Sequence, residues 1–594
     1  MSFADLKSKR QSKSRRTYVS CPSDAPHTSG PLLPQVIADP WANKDAQLPT
    51  PPDDNADLHI LPRGDLYKEL PSWLAVREST SSGRSLWNHG STNIRPGDVI
   101  LSLRPHVFTL STTYLDSHCS GCAGSPVSGL KRCTGCRKVW YCTSTCQNND
   151  WPTHKLECTA IQNWSAEAPS DKVSVPSDAV RCLGRILWRI RRRGVGSIWV
   201  KEIQAMQSNR KSIHPSAVEG HTHLAQSVVR YLGASSPTEL EDYGIMSAAD
   251  LVDLISRFII NTVALTTPSL TPIGVAVSPL IALINHSCTP NVVVVFPRSR
   301  KDSRDEPVAK VAALRNIAPG EEILMSYVDT TLPKSLRQMT LTETYNFQCH
   351  CKACTKSGGV DPREAVWCPK ACGGTCPIPT ESNLAENRIS GCTNCGAAIN
   401  DPDAVMDVVR VGQEALHKAT NLQDNNKAKS LTANIISVLI SAGLTPSTHP
   451  LLALLKLHQT LLISSFPTPL TQEVLNETIR ISGKYSVGLS AILDEGHPVR
   501  AMSLVELGKL LAVDEPSPPT SQPKNGSFPP SGPARLKAAY ETLLRARKEL
   551  LIGFGRQTEG GEVGDGVRET LVTLEKELEV WSTRIRNVLE DTPS

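Results

Sequence analysis

At 594 residues, 39% of them hydrophobic, the chain is long enough for several domains and a large buried core. Its net charge of +5 is mildly basic, which argues against a dedicated nucleic-acid binder. No apolar run approaches the roughly 18 residues that a membrane span requires, and the opening Met1-Ser2-Phe3-Ala4-Asp5-Leu6-Lys7 has no apolar h-region, so neither a span nor a signal peptide is expected.

Residues 1–65 are rich in Pro, Ser, Asp and Lys and poor in large apolar side chains, a composition that predicts disorder. Within them Lys7, Lys9, Arg10, Lys13, Arg15 and Arg16 form a basic cluster, read as a solvated tail, with a nuclear-import or nucleic-acid patch as the alternative. From 66 to 118 short β-type segments alternate with turn signals at Gly83 and Pro96-Gly97-Asp98, and Val99-Ile100-Leu101 reads as a buried strand. The stretch 119–158 is rich in Cys. Residues 159–273 read mainly as helix: Ser177 can cap a helix with Val180, Leu183, Leu187 and Ile190 at helical spacing, and Asp250–Leu265 is a second candidate. Strand patterns return over 274–330, with Val292–Phe296 β-branched and Lys310–Leu314 alternating less cleanly. A second Cys-rich stretch fills 331–400. From 401 to 594 the pattern is helical. Leu536, Ala539, Tyr540, Leu543, Leu544, Leu550 and Leu551 are placed on one face, and Val567, Leu571, Leu574, Leu578 and Trp581 repeat the pattern. The Pro/Ser-rich segment 514–533 reads as a flexible insertion.

The 18 cysteines fall mostly in C-x2-C or C-x-C pairs, which points to zinc and reduced thiols rather than disulfides. Cys119-x2-Cys122, Cys133-x2-Cys136, Cys142-x3-Cys146 and His154-x3-Cys158 supply eight ligands, enough for two closed structural ions. Cys349-x-Cys351-x2-Cys354 supplies three ligands and needs a fourth. Cys368, Cys372, Cys392 and Cys395 form a quartet that is either a small zinc ribbon or a set of ordinary thiols, with Cys376 spare. Cys21 and Cys182 have no partners and read as ordinary thiols.

Asn285-His286-Ser287-Cys288 is followed by Thr289-Pro290-Asn291, then by Gly320-Glu321-Glu322-Ile323 and Ser326-Tyr327. These segments resemble the C-terminal half of a SET domain, the catalytic core of protein lysine methyltransferases. The eight upstream ligands have the spacings of a MYND finger. On both signatures the chain is identified as a member of the SET-and-MYND family. The resemblance covers residues 66 to about 355 and, loosely, the C-terminal helices. It implies an α+β fold in which a β-rich SET core (66–118 and 274–330) is split by the MYND finger (119–158) and a helical insertion (159–273). A zinc-binding post-SET segment (331–400) and an all-α tetratricopeptide-like C-terminal domain (401–594) would follow.

The family pattern interleaves the finger ligands. Cys119 and Cys122 would join Cys142 and Cys146; Cys133 and Cys136 would join His154 and Cys158. Tyr141 and Trp151 are expected to pack between the two ions. Cys288 would complete the post-SET zinc with Cys349, Cys351 and Cys354. That makes three structural zinc ions, with the 368–395 quartet as a fourth alternative.

The resemblance further implies S-adenosylmethionine as cofactor and Tyr327 as the catalytic hydroxyl, itself against the cofactor. Asn285 and His286 would hold the cofactor's amino-acid portion, and Phe347 would stack on its adenine. Tyr345 would line the lysine channel. Gly83 and Arg84 lie where the family has a G-x-G-type segment. Here Ser85 replaces the second glycine, and its Cβ would crowd the cofactor if the position requires φ > 0. Asn209 and Asn261 match cofactor-binding asparagines, each with a surface or helix-capping role as the alternative.

The leading expectation is a protein-lysine N-methyltransferase acting on histone tails or on cytoplasmic proteins, in nucleus and cytoplasm, as a monomer. A non-catalytic scaffold that binds Pro-rich peptides is the alternative, and the finger could bind such peptides in either case. A DNA-binding regulator is disfavoured by the modest charge.

Overall fold

The computed structural model describes residues 59–61, 66–79, 83–126, 129–213, 215–298, 306–355, 359–379, 391–516 and 528–590. The tail with its basic cluster, Cys21, Ser82 and the 517–527 part of the Pro/Ser-rich stretch lie outside the described residues, and so do the expectations attached to them.

The strands join parts of the chain that are far apart in sequence. Val99–Leu103 pairs antiparallel with Ala309–Ala313, which pairs in turn with Val292–Val295. Val107–Leu110 pairs with Pro272–Val277, whose other edge takes Thr262–Thr266. Gly83–Asn88 pairs with Leu74–Ser79, and beyond it the Asn88 N–H reaches Glu321 O at 3.0 Å and the Ile323 N–H reaches Leu86 O at 2.8 Å. The Cys-rich finger and the helices after it are therefore an excursion that the chain leaves at Leu110 and rejoins at Thr262. Val311, Ala312 and Ala313 are all fully buried, which explains why their strand does not alternate.

Beside these sheets lie two short paired segments. Asn285–His286 runs parallel to Leu324–Met325. Asn291, fully buried, donates Nδ2 to Glu322 O at 2.8 Å and accepts from the Leu324 N–H at 2.7 Å. One side chain thus replaces the backbone partners that this short segment cannot supply itself.

The helix Asp178–Arg193 starts as its sequence implies: the Ser177 side chain accepts from the Val180 N–H at 3.4 Å. Val180, Leu183, Leu187 and Ile190 are buried along it. The second candidate needs correcting. Its helix runs Ala248–Asn261, and Thr262–Thr266 is a strand. The β-branched Thr262 and Val263 have an open edge to pair with at Pro272–Val277, and that ladder outweighs the helical spacing.

From residue 402 the helices are Pro402–Asn421, Asn425–Ser441, His449–Ser464, Gln472–Ser490, Pro498–Leu511, Pro533–Gly553 and Gly561–Glu590, each packed on the next. Leu543, Leu550, Val567, Leu571 and Leu574 are buried as expected. Leu544 is not: it is 43% exposed, because it sits one residue, or about 100° of helical rotation, from Leu543. This region is not a separate bead. Val295 of the sheet edge lies in one apolar cluster with Leu543, Leu550 and Phe554, and the Arg556 N–H donates to Gly97 O at 2.9 Å. Among the described residues no helix is long and apolar enough to cross a membrane.

Candidate active site and metal centres

The residues singled out around Tyr327 converge on one another. The Tyr327 hydroxyl donates to Ile284 O at 2.8 Å, and its backbone N–H donates to His286 Nδ1 at 3.0 Å. With Nδ1 accepting, the imidazole proton sits on Nε2, which faces Cys288 Sγ at 3.4 Å. Burial, with a smaller contribution from Arg337, lowers the His286 pKa to about 4, so the ring is neutral. Burial also pushes the Tyr327 phenol up, with Tyr345 and Glu322 adding to it, and lifts Tyr345 to about 12. Both are un-ionised phenols at neutral pH.

Tyr345 and Phe347 reach the same place through a local device. The helix Lys334–Thr340 widens into a π-turn at Leu341–Tyr345, and Asn346 then adopts a left-handed φ of 63°. That reversal lets side chains two residues apart face one spot. The Tyr345 and Tyr327 ring centroids are 5.0 Å apart, those of Phe347 and Tyr327 6.4 Å, and those of Phe347 and His286 5.9 Å. The Tyr345 hydroxyl donates to Tyr327 O at 3.2 Å.

Asn209 Nδ2 donates to Tyr345 O at 3.2 Å. Asn261 Nδ2 donates to Gln207 O at 2.8 Å and to Arg257 O at 2.7 Å. Asn285 Nδ2 donates to Glu322 Oε1 at 3.0 Å. Asn209 and Asn285 thus brace the surroundings of the cluster, while Asn261 fixes the backbone at Gln207. Gly83 has φ +70°, and a Cβ on it would lie 1.4 Å from Gln207 Nε2. The space that its missing side chain leaves is therefore filled by Gln207, which sequence reasoning did not single out. Arg84 donates to the Tyr67 hydroxyl. The concern about Ser85 does not hold. It lies in a regular strand, and φ is positive at Gly83 instead. Its hydroxyl donates to Arg77 O at 3.2 Å and accepts from the Trp87 indole at 2.8 Å.

Among the described residues, four sets of four Cys or His ligand atoms lie within 4.8 Å of one another, besides the trio Asp150, His154 and Glu157. They are Cys119, Cys122, Cys142 and Cys146; Cys133, Cys136, His154 and Cys158; Cys288, Cys349, Cys351 and Cys354; and Cys368, Cys372, Cys392 and Cys395. Four thiolates about 2.3 Å from a tetrahedral Zn²⁺ stand about 3.8 Å from one another. The spacings here fit that edge: Cys122 to Cys142 at 3.7 Å, Cys142 to Cys146 at 3.5 Å, Cys133 to Cys158 at 3.9 Å and Cys288 to Cys354 at 3.6 Å. A disulfide would need about 2.05 Å, and every described cysteine is free. With four protein ligands each, the sites are closed and structural rather than catalytic.

Charged groups around the thiolates were not legible from spacing. In the second set His154 Nδ1 stands 3.1 Å from Glu157 Oε2, which aims Nε2 at the metal position. Arg185 holds Glu157 and, through both terminal nitrogens, Asp150 at 2.9 and 3.1 Å. Tyr141 is buried and donates to Asp150 at 2.8 Å, and the Trp151 ring, 44% exposed, lies with its centroid 6.1 Å from that of His154. In the third set Arg337, almost fully buried, donates Nε to Cys288 Sγ at 3.3 Å. In the first, Arg298 donates to Cys122 O at 2.9 Å and to Cys122 Sγ at 3.5 Å, while its own carbonyl accepts from the Glu562 N–H at 2.9 Å. The Arg337 and Arg298 guanidinium groups offset thiolate charge that a dication leaves unbalanced, whereas Arg185 balances the Glu157 and Asp150 carboxylates. Cys182, outside all four sets, is buried, which pushes its thiol up to about 12.

Known proteins similar to this chain include lysine methyltransferases. The family model described as the MYND finger matches residues 118–158. Histone-lysine N-methyltransferase ASHR1 of Arabidopsis thaliana is 27% identical over 419 residues, which is 67% of this chain and 75% of that protein. Human N-lysine methyltransferase SMYD2 is 30% identical over 269 residues, 44% of this chain and 55% of that protein. SET domain and MYND-type zinc finger protein 6 of Schizosaccharomyces pombe is 31% identical over 270 residues, 44% of this chain and 48% of that protein. The chain thus spans three quarters of the plant protein and about half of the other two.

Proposed function

We propose that this chain, which belongs to the SET-and-MYND family, is an S-adenosylmethionine-dependent protein-lysine N-methyltransferase with its reacting centre at Tyr327. The observation that carries the proposal is the convergence of Tyr327, Tyr345, Phe347 and His286 beside the Ile284 carbonyl.

The cofactor supplies a methyl carbon already activated by a sulfonium, so the protein's part is alignment, desolvation and stabilisation. The Tyr327 hydroxyl commits its proton to Ile284 O. Its oxygen lone pairs are then left to face a partly positive methyl group, and burial keeps the phenol from ionising. Tyr345 narrows an aromatic channel in which the substrate amine is favoured in its neutral, nucleophilic form. Phe347 would be the stacking surface for the adenine. Asn285 and His286 would hold the amino-acid end, and Gly83, Arg84, Asn209 and Asn261 would complete the cofactor side.

The 402–590 helices are read as a tetratricopeptide-like wall beside a core split by the finger, past which the substrate enters. Histone tails and cytoplasmic proteins are the proposed substrates, in nucleus and cytoplasm, with the finger holding Pro-rich partners and the chain acting as a monomer. Ser85, an ordinary strand residue, sets up no clash that would favour the scaffold alternative. Calorimetry with S-adenosylmethionine, followed by mass-spectrometric detection of methyl groups on lysine peptides, is the test. A folded, zinc-loaded chain that neither binds the cofactor nor modifies any peptide would leave the scaffold reading standing.

A further inference from the structure

We propose that Cys368, Cys372, Cys392 and Cys395 bind a fourth zinc ion, and that this ion acts as a strut fixing the helical region against the segment that carries Tyr327. That the segment it braces is catalytic rests on the methyltransferase reading, whereas the ion and its mechanical role do not.

The donor set is assembled as a metal requires. Cys368 Sγ lies 3.5 Å from Cys395 Sγ, and Cys372 Sγ lies 3.4 Å from Cys392 Sγ, near the edge of a zinc tetrathiolate. The Lys370 N–H donates to Cys368 Sγ and the Asn394 N–H to Cys392 Sγ, each at 3.4 Å. Such bonds favour the thiolate that a metal needs. Gly374 passes so near that a Cβ would lie 2.7 Å from Cys392 Sγ. Cys376 is excluded from the set: it is buried and faces Ala397 O at 3.7 Å.

The two strands of this ribbon, Ala365–Trp367 and Thr375–Pro377, are three residues each and cannot be stable alone. The second cysteine pair is tied to them by the Thr393 N–H on Thr375 O at 3.0 Å. On one side Arg363 Nε donates to Thr330 O at 2.7 Å, three residues beyond Tyr327. On the other the Trp367 N–H donates to Gly443 O at 2.8 Å, and the Thr448 hydroxyl donates to Ala365 O. Cys368, Cys376 and Cys392 share one apolar cluster with Leu439, Leu444 and Leu451 of the helical region. An ion clamping both cysteine pairs therefore holds the short piece of chain that bridges Thr330 and the 443–448 turn. Cys372 and Cys395 are exposed, unlike the fully buried Cys133, Cys136, His154 and Cys158 set, so this ion is the most exchangeable of the four.

Elemental analysis of the purified full chain should give four zinc atoms, and three in the Cys372→Ser/Cys395→Ser variant. Chelator competition on the wild-type protein, which needs no folded variant, should release one equivalent in a fast phase. Hydrogen exchange should then quicken at 330–333 and 443–448, and hardly at 119–158. Cofactor affinity by calorimetry should stay within about twofold, since the Tyr327 cluster shares no residue with the ribbon. Three zinc atoms in the wild type, or release of the first equivalent with no change in exchange at 443–448, would overturn the proposal. A chain that never binds the cofactor would remove the methyltransferase reading and leave the zinc count unaffected.

Discussion

Replacing Tyr327 by Phe removes one oxygen and leaves the aromatic cluster otherwise intact. The ring contacts to His286, Tyr345 and Phe347 at 5.3, 5.0 and 6.4 Å do not use the hydroxyl, nor does the backbone N–H on His286. What is lost is the 2.8 Å bond to Ile284 O, in a buried place where that carbonyl has little access to water. Stability should fall by about 1–2 kcal/mol, the usual consequence of leaving a buried partner unsatisfied. The larger effect belongs to the transition state. Deleting one preorganised dipole aimed at developing charge commonly costs ~10²–10³ in turnover. A residue whose oxygen acts only there should lose kcat and kcat/KM together, with cofactor affinity within about twofold of wild type. Calorimetry for the cofactor, mass spectrometry for methyl incorporation and a urea melt for folding separate these effects. A folded variant with undiminished turnover would show that the hydroxyl is not part of the chemistry. Cofactor affinity falling in step with turnover would show instead that Tyr327 is a binding group.

Cys288→Ser should remove one zinc per chain and weaken cofactor binding, because Cys288 ties the 349–354 segment to the loop that holds His286; an unchanged zinc count would place the fourth ligand elsewhere. Arg337→Met should lower stability by about 3–5 kcal/mol, since it leaves the Cys288 thiolate without its buried cation. A urea-melt loss below about 1 kcal/mol would mean that the metal alone balances the charge. With Tyr345 lifted to about 12 and Tyr327 also raised, neither phenol ionises in the working range, while the substrate amine, ordinarily near pKa ~10.4, reacts only after losing its proton. The logarithm of kcat/KM should accordingly rise with pH from about 7 to 9 with a slope near one. A fall in rate within that window would show that a protein group must stay protonated at a much lower pKa.

Local features were the legible ones. Each cysteine pair sits on one turn, so its spacing shows in the sequence, and the Ser177 cap with its apolar stripe is equally local. The pairing of one knuckle with another is a matter of topology, and only the family resemblance supplied it. The helix end at Asn261 was misjudged because a strand eleven residues later offers Thr262 and Val263 a ladder that no local propensity records. Gln207, the Ile284 carbonyl, Arg298 and Arg337 were invisible for a common reason. Each acts through contacts remote in sequence, and a single amide, carbonyl or guanidinium carries no periodicity.

Arg298 joins the finger to the last helix: its guanidinium holds the carbonyl and thiolate of Cys122, and its carbonyl takes the N–H of Glu562 at the start of Gly561–Glu590. Metal occupancy at the first finger site and seating of that helix are consequently two equilibria sharing one residue, and linkage makes their influence mutual. Whatever factor a well-seated helix adds to the finger's zinc affinity, a bound zinc must return, undiminished, to the seating of the helix.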